Sequence, residues 1–173
     1  MSKNRMFCRI GEMKIMNGFL NCMLYLAAIA SGSFVIGRLI PKKLFCWNRF
    51  PWKPICTARE KALYRMLKVK DWQNKLPDMS RIFPKLMPPK KMPTHLETDI
   101  LETMLRETCV AELIHGLLGV AGFFCIHIWH SGGIWLSIAF FIGNLPFIII
   151  QRYNRPRLVL LLERQKKKIG VQK

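Results

Sequence analysis

Apolar residues in this chain gather into three long blocks separated by basic, proline-punctuated stretches. The first block, Met16 to Ile40 (MNGFLNCMLYLAAIASGSFVIGRLI), has the length a helix needs to cross a bilayer and is closed by Pro41 and Lys42-Lys43. The small residues of AIASGS would also suit the cleavage site of a signal peptide, but the apolar run continues through FVIGRLI, which favours a retained span. From Pro41 to Arg106 eight prolines interrupt the chain and no long apolar run survives. Inside this segment FCWNRFPWKP mixes aromatic and basic residues, a headgroup-region composition. Thr57 to Lys70 (TAREKALYRMLKVK) reads as a short amphipathic helix lying on the membrane, and FPKLMPPKKMP as an extended stretch. Thr98-Asp99 followed by Glu102 predicts a helix start. That helix continues to Trp129, too long for the bilayer alone, so its first turns stand outside and Cys109 to Trp129 is the second span. HSGG (His130 to Gly133) is a tight return into a third span, Ile134 to Ile150. The pattern predicts an all-α integral membrane protein: a single membrane domain over residues 1–173, with spans at about 16–40, 109–129 and 134–150. An interfacial amphipathic helix within a basic segment, 41–108, and a basic tail, 151–173, complete it.

Charge sharpens this picture. A net charge of +18 beside a mean hydropathy of +0.15 is an odd pairing for a soluble protein and an ordinary one for membrane spans with basic flanks. Of the 28 basic residues, 4 precede position 15, 15 fall between 41 and 108, and 8 follow position 150. By the positive-inside rule, the middle segment and the C-terminal tail are expected in the cytoplasm and the N-terminus outside, in a multi-pass cell-membrane protein. No nucleic-acid-binding module accompanies the charge, so membrane lipid, not nucleic acid, is the expected partner; protein partners are unknown. Cys8, Cys22, Cys46, Cys56, Cys109 and Cys125 lack metal or CxxC spacing and read as unpaired apolar filler.

Candidate chemistry lies at one end of the second and third blocks. Glu112 and His115, three residues apart, share a helical face with Thr108, Gly119 and Gly122. The glycines would admit a neighbouring helix, while an ionisable pair in hydrocarbon must face protein or a water-filled cavity. The two side chains either lock helices together or carry function, and a burial cost of about 2.5 kcal/mol or more per carboxylate favours function. In the third block Asn144, Ile148 and Gln151 stack on one face, and Pro146 leaves the carbonyl of Ile142 without its helical donor. Beyond it, Gln151, Arg152, Tyr153, Asn154, Arg155 and Arg157 form a polar cluster, read as a shaped turn around Pro156. The short HSGG connection makes the two spans antiparallel neighbours, so this cluster is expected to meet Glu107, Thr108, Glu112 and His115.

Those are parts for acyl transfer: His115 deprotonating a hydroxyl, Glu112 stabilising the imidazolium, and Arg152, Arg155 and Arg157 holding a phosphate-bearing donor. Lys166 to Lys168 read as an anchor. GxSxG, Walker, dinucleotide and HExxH motifs are absent, and none of His95, His115, His127 or His130 is followed four residues on by Asp. A metal site built from Glu107, Glu112, His115 and Asp71 or Asp78 is the weaker chemical alternative. A non-catalytic membrane lipid-binding or assembly protein is the alternative from another class.

ETCVAELIHG (Glu107 to Gly116) and GNLPFIIIQRYNRPRL (Gly143 to Leu158) resemble the two signature blocks of the glycosyl-4,4'-diaponeurosporenoate acyltransferase family, bacterial membrane proteins that attach a fatty acyl chain to the sugar of a glycosylated carotenoid. LKVKDWQNKLPD (Leu67 to Asp78), which contains Trp72, resembles a third, weaker block. Gly116 stands where the family usually has Trp, and Asp71 and Gln73 flank Trp72 where basic residues are expected. The resemblance implies a fatty acyl group moving from an activated thioester, a co-substrate and not a bound cofactor, onto a sugar hydroxyl of an amphiphilic glycoside. It implies catalytic His115 and Glu112, and binding roles for Glu107, Asn144, Trp72 and the residues from Gln151 to Arg157.

Overall fold

The computed structural model describes residues 3–54, 58–73, 75 and 98–171, and every regular element among them is helical. In chain order these are α1 (Lys3–Leu39), a 3-10 turn (Lys42–Leu44), α2 (Ala58–Met66), α3 (Val69–Trp72), α4 (Thr98–Ala121), a second 3-10 turn (Gly122–Phe124), α5 (Cys125–Ile128) and α6 (Gly133–Val171). Among the described residues, three helical stretches are long and apolar enough to cross a membrane: Met13–Leu39, Thr98–Ile128 and Gly133–Lys168. In hydrocarbon a helix satisfies its own backbone polar groups, so uninterrupted apolar runs become helices whatever their individual propensities. Their large apolar side chains are exposed on every one of them, Leu24, Val120 and Ile142 among them, as on a surface facing lipid.

The chain divides into two compact units: Met1–Pro41 with Val110–Ile148, and Lys42–Cys109 with Ile149–Lys173. In the first, α1 packs on the α5 region through Cys22, Leu26 and Cys125, with Tyr25, Trp129, Leu136 and Phe140 around them. The Tyr25 hydroxyl donates to the carbonyl of Ala121 at 2.9 Å. α4 and α6 run antiparallel here, as the short connection predicts: Gly119 lies against Phe141 and Gly122 against Phe140. A Cβ on Gly122 would stand 2.6 Å from the Phe140 ring, so the glycine stripe does set this close approach. A bilayer supplies no hydrophobic push between helices, so helices of this composition rely on close packing and interhelical hydrogen bonds. Ser137 supplies one such bond, its hydroxyl lying 3.0 Å from the Gly122 carbonyl while sharing its single proton with the Gly133 carbonyl of its own helix at 2.8 Å. The helix expected to reach Trp129 therefore departs from α geometry at Gly122, where Ser137 takes up a carbonyl and the chain tightens into a 3-10 turn.

In the second unit, Leu101 and Leu105 of α4 pack against Leu158 and Leu162 of α6, flanked by Trp47 and Met104. Each pair is four residues apart and so lies on one helical face. Two departures from expectation fall here. Gln151 to Arg157 do not form a turn: α6 continues through them and through Pro156. A proline costs a helix one hydrogen bond, and the buried contacts of Arg155, Leu158 and Leu162 hold the helix across that gap. The amphipathic stretch is also two helices instead of one, because Lys68 adopts a left-handed φ of 47° between α2 and α3. Thr57, His95, Cys56, Asp78 and the FPKLMPPKKMP stretch lie outside the described residues, as do the side chain of Cys8 and most of the segment from Lys75 to Thr98.

Candidate functional site

His115 sits on α4, half-buried, in the first unit. Its Nδ1 lies 2.9 Å from Oδ1 of Asn144 on α6. The Asn144 amide is itself oriented, since its Nδ2 donates to the carbonyl of Phe140 at 2.9 Å. With Nδ2 committed as donor, Oδ1 faces the ring as acceptor, and Nδ1 must carry the proton. Nε2 then holds the lone pair, the arrangement a general base needs. The Phe147 ring stacks on the imidazole with centroids 4.5 Å apart and planes 8° from parallel, fixing its tilt. Glu112, one turn earlier on α4, is buried at 7 % exposure. Spacing alone had pointed to Glu112 as the orienting group, but at Nδ1 the partner is Asn144, which is equally buried.

Phe147 went unnoticed at the sequence level. Its signal was present: it follows Asn144 by three residues, so a helix that carries Asn144 to the imidazole carries Phe147 to the same face. Asn144 had been singled out for its place before Pro146, and its bond to Phe140 gives it a different use.

The second unit holds polar residues of its own. Arg155 is 2 % exposed, with Nε donating to Thr108 Oγ1 at 2.9 Å and Nη1 to the Trp52 carbonyl at 2.8 Å. Thr108 in turn donates to the Leu105 carbonyl. A buried guanidinium spread over protein acceptors ties α6 to α4 and to the aromatic segment before α2, so Arg155 builds the unit from within. Tyr153 packs edge-on against Tyr64 of α2, with centroids 5.4 Å apart. The Arg157 guanidinium lies 4.2 Å over the Tyr153 ring and donates to its hydroxyl. Gln151, Arg152 and Asn154 are half-buried. Because these residues are helical, nearly two turns distribute them around the axis: Gln151, Arg155 and Leu158 share one face, and Tyr153 and Arg157 another.

Glu107 pairs with Lys42. Trp72 closes α3 and donates from Nε1 to the carbonyl of Leu67 at 2.8 Å, satisfying a group left over where α2 ends. Lys166, read as part of an anchor, donates to Glu102 at 2.8 Å. Among the described residues no three of His, Cys, Asp or Glu gather in a way that could hold a metal ion. Among the described residues Cys22, Cys46, Cys109 and Cys125 stand outside any disulfide.

Residues 41–164 match the family described as glycosyl-4,4'-diaponeurosporenoate acyltransferase. The chain is similar to proteins of that name from Staphylococcus aureus. With the strain Newman protein it is 29 % identical over 152 residues, covering 85 % of this chain and 89 % of the relative. With that of strain N315 it is 29 % identical over 146 residues, covering 82 % and 86 %, and with that of strain MRSA252 28 % identical over 159 residues, covering 87 % and 93 %. No solved structure matches the chain.

Proposed function

Because this chain belongs to the glycosyl-4,4'-diaponeurosporenoate acyltransferase family, we propose that it moves a fatty acyl group from an acyl thioester onto a sugar hydroxyl of a glycosylated carotenoid or similar glycolipid, with His115 as general base. Acyltransferase activity is the property of the family; the donor, the residues and the membrane setting are our reading. The observation that carries it is the hydrogen-bond chain Phe140–Asn144–His115, which leaves Nε2 basic on a ring held by Phe147.

Nε2 accepts the proton of the sugar hydroxyl as the oxygen attacks the thioester carbonyl. The new C–O bond forms, the C–S bond breaks, and the imidazolium returns its proton to the leaving thiolate. Asn144 Oδ1 holds Nδ1–H throughout, and the Glu112 carboxylate one turn away favours the imidazolium. Gln151, Arg152, Tyr153, Asn154 and Arg157, with Glu107 and Trp72, are assigned to substrate or donor contacts, and Arg155 to holding their scaffold. No bound cofactor takes part. The acceptor's apolar part stays in lipid, in a multi-pass cell-membrane protein whose basic segment and C-terminus face the cytoplasm.

The test replaces His115 by Gln, which keeps size and hydrogen bonding, and follows labelled fatty acid into glycolipid in membranes. Incorporation is expected to fall by about a hundredfold or more. Unchanged incorporation at normal expression would remove the base from the scheme. Mass spectrometry of lipid extracts with and without the protein identifies the acceptor.

A further inference from the structure

We propose that the first unit carries, at the end away from His115, a binding site for the phosphate of a membrane phospholipid headgroup. A cavity of about 420 Å³ lies there between the start of the first apolar span and the connection that precedes α6. One wall is α1, where Lys14, Asn17 and Asn21 share a face at spacings of three and four residues. The other is Trp129, His130 and Ser131. Roughly 20 Å of helix separates Trp129 from His115, so this is not the acyl-transfer centre.

The lining chemistry selects the ligand. Among the described residues it holds an ammonium, two amides, an imidazole and a hydroxyl, and no carboxylate. Trp129 Nε1 is buried and has no hydrogen-bond partner among the described residues. It lies against Gly18 of α1, where a Cβ would stand 3.1 Å from it, so it closes the wall, and the donors open to a ligand are those of Lys14, Asn17, Asn21, His130 and Ser131. A surplus of donors around one cation suits an anion with several acceptor oxygens, as a phosphate is.

Position selects the source. Lys14 stands at the edge of the apolar stretch Met13–Leu39, and Trp129 to Gly132 joins two further spanning stretches, so the cavity opens at the depth of lipid headgroups. Ile15 and Phe19 beside it are about half exposed and apolar, a surface for acyl chains. Phe19 also meets the Trp129 ring edge-on at 6.2 Å, and Gly18 lets the indole approach α1, where a Cβ would stand 2.5 Å from its Cδ1. The indole is therefore held in place as part of the wall.

The test uses the full chain in neutral detergent, with native mass spectrometry reading bound species and three probes: phosphatidylglycerol, diacylglycerol of the same chains, and inorganic phosphate. Phosphatidylglycerol is expected to bind about tenfold more weakly to the Lys14→Gln/Asn17→Ala variant and unchanged to Lys166→Gln, an exposed cation of α6. Ser131→Ala, in the exposed connection, is expected to weaken binding about threefold and carries the test if the double variant loses helicity. Equal binding of diacylglycerol, undiminished binding to the cavity variants, or the same loss in Lys166→Gln would overturn the site. Full displacement of lipid by inorganic phosphate would overturn the lipid assignment in favour of a free anion.

Discussion

Gly133 offers a demanding test of the helix connection. A Cβ built on it would stand 2.1 Å from the carbonyl oxygen of Cys125, 2.6 Å from its carbon and 3.0 Å from Cα of Ile126. An ordinary C···O contact is about 3.3 Å, so the overlap in Gly133→Ala is roughly 1 Å. All three neighbours are backbone atoms, and no rotamer change relieves the clash. The ends of α5 and α6 must part, straining the 2.7 Å bond from Gly133 N–H to the Trp129 carbonyl and the Ser137 bond to Gly122. Overpacking costs about 1–3 kcal/mol where side chains can adjust, so we expect about 3 kcal/mol here. Gly143→Ala is the matched control, because nothing lies within 4 Å of its Cβ position and the helix gains about 0.5–1 kcal/mol in propensity. Denaturant unfolding in micelles, followed by far-ultraviolet circular dichroism, should then separate the two variants by about 3.5 kcal/mol. Gly133→Ala unfolding at the wild-type midpoint, or Gly143→Ala suffering as much, would refute the packing argument.

Arg155→Lys keeps the charge but cannot span Thr108 Oγ1 and the Trp52 carbonyl together, so thermal unfolding should report a loss of about 3 kcal/mol. Lys166→Gln removes a half-exposed ion pair with Glu102 and should cost less than about 1 kcal/mol by the same measurement. Asn144→Leu removes the acceptor that fixes the His115 tautomer; acyl incorporation is expected to drop about tenfold to a hundredfold while the helical content stays unchanged.

Much of the architecture was legible in the residues alone. Apolar runs close their own backbone hydrogen bonds as helices, so three runs of bilayer length were enough to specify three helices long and apolar enough to cross a membrane. HSGG is too short for anything but an antiparallel return, and glycines every third or fourth residue on one face, Gly119 and Gly122, marked where the next helix comes closest. His115 and Asn144 both stood out as polar groups in apolar surroundings. Pro156 misled, because a proline in a polar cluster reads as a turn until the packing on either side is known.

Tertiary structure alone decided which polar group answers which. His115 and Asn144 are 29 residues apart, Arg155 and Thr108 47, and Arg155 and Trp52 103. Spacing along one helix proposes only neighbours three or four residues away, which is why Glu112 was assigned to the imidazole, while Pro156 made the arginines read as one turn. The register of α6 against α4 within each unit selects instead. It brings Asn144 to Nδ1 and buries Arg155 on Thr108, while Arg157 turns back over Tyr153 on another face. A hydrogen bond is formed or lost over a few tenths of an ångström, and that register is set by the packing of small and large side chains between the helices within each unit.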